Sequence, residues 1–395
     1  MTSQDIKTLA AKYFPKVRSY REHLHKHPEL SFAEHNTCEF IAEKLDEMNL
    51  RFVKGVGGGT GVVAEVGEGD KIVALRADID ALPIQEEGDH SYRSQNSGVM
   101  HACGHDVHTS CLLGAAHILK EYEKDLPCRM RLIFQPGEER LPGGASLMIK
   151  DNVLDGVSAI IGQHVHPDLE VGKLGYGAGS FMASCDEVFI TVEGRGGHAA
   201  MPEKVIDPVM ISAELIQALQ TIVSRRAHPN TPTVLSIGKI NSVGGATNVV
   251  PDKVKMEGTF RTYDEDWRMK AHDLIRQIAK STCEAHGANA KVNIVKGYPT
   301  LFNDHKITGI VADSLRTFVG SQQTEVISPR MTAEDFSYYS QHVPACFYRL
   351  GTASADGRNT SPVHTPTFDI DPKALEIGSG FMAFAALEIA NRLVA

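Results

Sequence analysis

Five segments place proton-transfer or metal-type side chains directly after short apolar runs. They are Arg76-Ala77-Asp78-Ile79-Asp80, His101-Ala102-Cys103-Gly104-His105-Asp106, Gln135-Pro136-Gly137-Glu138-Glu139, Gln163-His164-Val165-His166 and, near the C-terminus, Val363-His364-Thr365-Pro366. A carboxylate, imidazole or thiolate at the mouth of a buried strand is costly unless something pairs it. A divalent ion pairs all three, and that donor mixture favours zinc or another late first-row ion over magnesium or calcium. Cys103 and His105 flank a glycine that lets the backbone turn tightly, so both can face one site. Taken singly, a Cys or His is more often a packed core residue. Glu138-Glu139 follows the apolar run Leu132-Ile133-Phe134. Neighbouring side chains diverge, so one carboxylate can bind metal while the other faces an attacking water, as metal-assisted hydrolysis requires. A rival chemistry makes Cys103 a nucleophile activated by His101, His105 or His108. It leaves the glutamate pair and the remote His164 and His364 without a task.

These residues need a scaffold of buried strands. Apolar runs at Gly61–Val66, Ile72–Ala77, Met130–Phe134 and Ser158–Gly162 suit parallel strands covered on both faces. A helix is expected from about Asp5 to His25, and another after Ser31-Phe32-Ala33-Glu34, which has the form of a capping box. A third helix spans about Val107 to Tyr122. From Cys185 the pattern changes to strand, helix, strand, strand, helix, strand, ending near Val295: the βαββαβ order of the ferredoxin-like motif. After Tyr298-Pro299 the α/β pattern resumes and closes with a long helix, Pro372 to Val394. The fold class is thus α/β, with a discontinuous catalytic domain (1–184 and 296–395) and an inserted α+β ferredoxin-like domain at 185–295.

Bulk properties narrow the function. The net charge of -9 and the lack of a basic stripe argue against nucleic acid as a partner. Met1–Ala10 reads as a polar helix start rather than an export signal, and no apolar run approaches the ~18 residues of a membrane helix. The seven cysteines are odd in number, scattered and without a CxxC pair, which fits a reducing cytoplasm.

In order and spacing, the five segments resemble the M20 family of metallopeptidases and amidohydrolases, in the branch of hippurate and auxin-conjugate (indoleacetyl-amino acid) hydrolases. The resemblance begins at His27-Pro28-Glu29-Leu30-Ser31-Phe32. Within the insert it includes Gly196-Gly197-His198-Ala199-Ala200-Met201-Pro202, Asn248-Val249-Val250-Pro251 and Gly258-Thr259-Phe260-Arg261. It implies a helix-flanked mixed sheet of the phosphorylase/hydrolase-like kind, carrying two divalent metal ions (zinc, manganese, nickel or cobalt). The implied ligands are Cys103, His105, Glu139, His164 and His364, with Glu138 as the catalytic base and Asp80 orienting a ligand. Many relatives outside this branch have a histidine in place of Asp78 and an aspartate in place of Cys103. The resemblance also implies that the insert is a lid and dimerisation domain. His198 would stabilise the oxyanion, and Asn248 and Arg261 would bind substrate, the arginine through a bidentate carboxylate contact. His166 is more a bystander than a ligand, and His101, His108 and His117 match no role.

The expected reaction is hydrolysis of small N-acyl-L-amino acids to a carboxylic acid and a free amino acid. Glu138 takes a proton from water, hydroxide attacks the acyl carbonyl, and Glu138 returns the proton to the leaving amine. Metal binding can bring the pKa of water from about 15.7 to about 7. Three alternatives stand beside this: a dipeptidase or carboxypeptidase, a cysteine hydrolase, and a non-catalytic metal-dependent binding protein. A homodimer or homotetramer is compatible with the resemblance.

Overall fold

The run Ile72–Asp78 is buried at all seven positions, as is Ala345–Ala353 at all nine, the signature of strands covered on both faces. A computed structural model describes residues 1–394 of the chain and divides it into two compact units. The first comprises Met1–Gly179, Phe302–Ser328 and Asp335–Ala395, and the second Ser180–Leu301 with Pro329–Glu334.

The first unit is built on an eight-stranded mixed sheet. Its order is Arg51–Val56, Gly61–Val66, Arg129–Gln135, Ile72–Asp78, Val157–Glu170, Ala345–Ala353, Leu174–Tyr176 and Thr324–Val326. The four central strands run parallel. Gly61–Val66, expected to be parallel, pairs antiparallel with Arg129–Gln135, because residues 67–71 lead straight into Ile72–Asp78 and are too few for the crossover a parallel strand needs. Helices Ser3–Lys26, His105–Glu121 and Lys373–Val394 pack on one another, and the last two lie against the strand Ile72–Asp78.

Two local expectations are corrected. The helix after Glu34 spans His35–Glu47, but its first amides, of Asn36 and Thr37, donate to the Glu29 carboxylate rather than to Ser31 or Glu34. Ser31 Oγ instead donates to Asp80 Oδ2 at 2.6 Å, and the Glu34 carboxylate accepts from Thr60 Oγ1 and the Gly137 amide. Tertiary partners outcompete the local cap. Helix Lys373–Val394 is long and apolar enough to cross a membrane by length and composition, contrary to the expectation of no such run. Its Phe381, Met382, Phe384 and Leu387 are buried in the core of the first unit, which accounts for that apolarity.

In the second unit, strands Asp186–Glu193, Thr233–Val243, Lys253–Thr262 and Asn289–Lys296 form an antiparallel sheet. Taken by chain order within the unit, the strands run 2-3-1-4 across it. With helices Pro208–Thr221 and Glu265–Ala285 this is the split βαββαβ arrangement. Val188, Ile190 and Val192 alternate inward against Ile211, Leu215 and Leu219 and against Ala271, Ile275 and Ala279, whose four-residue spacing lines one face of each helix. A separate two-stranded ribbon pairs Gly197–His198 with Val249–Val250.

Candidate metal centre and active site

The donors converge at the ends of the central parallel strands. Gly104 is left-handed (φ +81°) and caps helix His105–Glu121, and a Cβ placed there would lie 2.7 Å from the Val165 side chain. Only glycine lets the chain pass Val165 and still aim both neighbours inward. His364 is also left-handed (φ +64°), and its amide donates to the Ala102 carbonyl at 2.7 Å. A non-glycine residue held in that region costs on the order of 1 kcal/mol or more and clusters at functional sites.

Two donor triads result, and they share one atom. Cys103, His105 and His164 form the first, and Cys103, Glu139 and His364 the second, with the donor atoms of each lying within 4.8 Å of one another. Cys103 Sγ is 3.4 Å from His164 Nε2 and 3.3 Å from His364 Nε2, and His364 Nε2 is 3.2 Å from Glu139 Oε1. His105 Nε2 and Glu139 Oε1 are buried without hydrogen-bond partners, 3.9 Å apart. Such orphaned atoms in a buried cluster fit a bound cation. The structure thus brings together all five residues that the resemblance marks as ligands.

The tautomers fit as well. The His164 Nδ1–H donates to the Val165 carbonyl at 2.8 Å, which leaves the Nε2 lone pair facing Cys103. Burial lowers the pKa of His164, and His108 and Arg349 push it the same way, so the ring is a neutral donor. Burial opposes charge on His105, but Asp78, Asp80 and Glu139 outweigh it and raise its pKa to about 10. That field favours any cation at this point. Burial, then Glu139, Glu138 and Asp78, push the Cys103 thiol well above its ordinary value. This is the opposite of an activated nucleophile and speaks against the cysteine-hydrolase chemistry.

Around the donors lies a frame of buried acids. Asp80 Oδ1 is 3.1 Å from His105 Nδ1, and Asp80 Oδ2 accepts from Ser31 and from the Glu139 amide. Asp78 Oδ1 takes the Nδ1–H of His108 at 2.6 Å, while His108 Nε2 accepts the Val165 amide at 2.9 Å. His108, for which the sequence suggested no role, therefore braces the strand end that carries His164. Its spacing of three from His105 on one helix face was the available signal. Asp78 Oδ2 lies 3.7 Å from His105 Nε2, and Asp78, His105 and His108 form a further donor group. Arg76 donates to Asp78 and Asp335, and the Asp335 amide donates to Glu138 Oε1 at 3.4 Å. Glu138 is 7% exposed and within 4.8 Å of His105 and Glu139 through their donor atoms. It sits beside the cluster with one carboxylate edge anchored.

His166 lies 3.7 Å from Asp168, His117 bonds Tyr20 Oη at 3.1 Å and stacks on Tyr13, and His101 is buried with its pKa lowered to about 4 by burial. In the second unit, His198 is exposed on the ribbon, and its Nδ1 accepts the Ala200 amide at 3.1 Å. The neutral ring then carries its proton on Nε2, as a hydrogen-bond donor must. The Asn248 carbonyl accepts the Ala199 amide, so Asn248 and His198 share the ribbon, while Arg261 lies on strand Lys253–Thr262 and donates to the Met331 carbonyl.

Comparison with known proteins adds three kinds of likeness. The family model for peptidase family M20/M25/M40 matches residues 74–388. The N-acetyl-L-cysteine deacetylase of Bacillus subtilis is 41% identical, covering 100% of this chain and 94% of that protein. The N-acyl-L-amino acid amidohydrolase of Geobacillus stearothermophilus is 42% identical over 77% of this chain and 82% of that protein. Among solved structures, the Bacillus subtilis YXEP protein, described as a dinuclear metal binding peptidase of the M20 family, superposes with a TM-score of 0.84. It is 33% identical and covers 96% of this chain and 99% of its own.

Proposed function

This chain belongs to peptidase family M20/M25/M40, and we propose that it hydrolyses the amide bond of small N-acyl-L-amino acids with Glu138 as general base. The observation that carries this reading is the placement of a buried, anchored Glu138 beside two donor triads that share Cys103. Cys103, His105, Glu139, His164 and His364 would hold two divalent ions, which when bound supply Lewis acidity towards water and the acyl carbonyl. Glu138 takes the proton of the attacking water and delivers it to the leaving nitrogen. Asp80 positions His105 and the Glu139 backbone, Asp78 with His108 holds the His164 strand end, and Arg76 ties Asp78 to Asp335. We assign the lid role to the second unit, with His198 as oxyanion donor and Asn248 and Arg261 as substrate contacts. The acyl-amino-acid substrate class rests on the two deacylating relatives at 41% and 42% identity. A cytoplasmic location fits seven cysteines that are all free.

A second reading, cleavage of a peptide bond, draws on the peptidase description of the YXEP protein. Parallel assays of N-acetyl, benzoyl and indoleacetyl amino acids against dipeptides, on metal-loaded and chelated protein, test both. Turnover of dipeptides alone would replace the first reading by the second.

A further inference from the structure

A second group of metal-type donors lies outside this centre. Helix Ser3–Lys26 presents His25 from its last turn, and the loop after Pro83 presents Glu86 and His90. His25 Nε2 is 3.2 Å from Glu86 Oε1, His90 Nε2 is 2.8 Å from the same oxygen, and the three atoms lie within 4.8 Å of one another. We propose that His25, Glu86 and His90 form a third, structural metal site for a zinc-type divalent transition ion, separate from the Cys103 centre.

Four observations support the site. First, Asp106 Oδ2 lies 2.7 Å from His25 Nδ1 and can only accept there, so Nδ1 carries a proton, and His25 Nε2 is hydrogen-bonded to Glu86 Oε1 at 3.2 Å through the proton that a divalent ion would displace. A carboxylate that fixes the tautomer of a ligating histidine in this way is the usual support behind a metal-bound imidazole. Second, His90 Nε2 is buried and close to Glu86 Oε1, yet the contact has no hydrogen-bond alignment. The His90 ring is held in place by stacking on Tyr92, with ring centres 4.0 Å apart, and by an edge contact with His25. Third, the turn leaves room where the donors meet. A Cβ on Gly88 would stand 2.9 Å from His90 Nε2 and 3.2 Å from Glu86 Oε1, so a side chain at 88 would crowd the donor atoms.

Fourth, the local charge calls for a cation. Arg21 is ion-paired with Asp106 and Asp369, whereas the buried Glu86 carboxylate meets His25 and His90, with Arg93 reaching the Glu86 backbone from the exposed rim. One divalent ion at the three donors offsets the Glu86 charge. Two histidines and one carboxylate with a position open towards solvent beside the partly exposed His90 make a donor set suited to zinc. Bound there, the ion would tie the end of helix Ser3–Lys26 to the loop 83–99 and brace Asp106, the neighbour of His105.

Cobalt distinguishes this site from the Cys103 centre, because only a thiolate ligand gives a sulfur-to-cobalt charge-transfer band. Metal-free full-length protein is titrated with Co²⁺ beside the His90→Ala variant, with bound metal counted by elemental analysis. The wild type should bind one equivalent more than His90→Ala, and that equivalent should add only d–d absorption. The variant should keep the full charge-transfer band and its hydrolytic turnover. Equal stoichiometry in the two proteins, whether two ions or three, overturns the proposal. In that event protons on His25 and His90 balance the acids instead. An extra equivalent that carries a charge-transfer band overturns it as well, since it would belong to the Cys103 centre.

Discussion

Asp80 holds His105 with one carboxylate oxygen, at 3.1 Å from Nδ1, and the Glu139 amide with the other, at 3.0 Å. One buried acid therefore sets both the tautomer of one proposed ligand and the backbone of another. Asp80→Asn keeps the shape, but its amide NH₂ cannot accept and so loses one of these contacts. Metal affinity should fall about 10–100-fold, the usual effect of removing a ligand's supporting partner. Competition with a chromophoric chelator measures it. Unchanged affinity would mean that Ser31 and the backbone suffice.

Glu138 and Glu139 should separate cleanly. Glu138→Gln removes a proton acceptor and spares the proposed ligands, so it should keep its metal while turnover falls at least about 10²–10⁴-fold. Glu139→Gln should instead weaken metal binding, and added metal should recover part of the activity. The reverse pattern in metal content and turnover would exchange the two roles.

The cysteine chemistry makes an opposite prediction about metal. Chelation should abolish turnover and metal add-back restore it, because the Cys103 thiol is pushed up rather than activated. Alkylation should inactivate the metal-free protein by removing a ligand, and bound metal should protect Cys103 from the reagent. Full activity in a sample shown by elemental analysis to be metal-free would end the metal reading.

These assignments also show what can be read from sequence. The strands Ile72–Asp78 and Arg129–Gln135 were legible because their most buried stretches, Ile72–Leu75 and Leu132–Phe134, read as short apolar runs, and the chemistry follows at their ends. The frame behind the ligands was not. Arg76 and Asp335 are 259 residues apart, and nothing local marks an arginine that closes a buried bridge. Ser31 and Glu34 have the spacing of a helix cap, yet their oxygens go to Asp80, Thr60 and Gly137, where burial raises the value of each bond. The antiparallel direction of Gly61–Val66 depends on the short connection 67–71, whereas its apolar pattern suits either direction.

The second unit carries its own acid sensitivity. Asp186 is buried and bonds Arg268, His272 and the Gly297 amide. Burial raises its pKa, but Arg268 and His272 outweigh that and hold it below its ordinary value of 3.8. Since the folded pKa is the lower one, the ionised carboxylate contributes stability above about pH 4, and that contribution is lost as pH falls through the folded value. Asp186→Asn leaves Arg268 with the partly exposed Glu265 as its remaining ion pair and should cost up to roughly 3–5 kcal/mol. Urea unfolding at pH 7 and at about pH 2–3 should show the variant less stable at pH 7 and with a shallower loss of stability on acidification. Parallel pH profiles would place the acid-sensitive group elsewhere.

The last prediction concerns His198, which lies exposed on the ribbon with its Nε2 free to donate. We expect it to serve the active site of a partner subunit. An oxyanion donor must sit about 3 Å from the reacting oxygen, and losing one typically costs 10²–10³-fold in turnover. His198→Ala and Glu138→Ala should each be nearly inactive alone. In a mixed dimer, one of the two sites combines an intact Glu138 from the first chain with an intact His198 from the second. Random association makes about half of the dimers mixed, so activity should recover to about a quarter of wild type. Tandem affinity tags isolate the mixed species, and metal analysis confirms that its sites are loaded. A loaded mixed dimer without recovered turnover would assign His198 to its own chain, and a strictly monomeric protein would do the same.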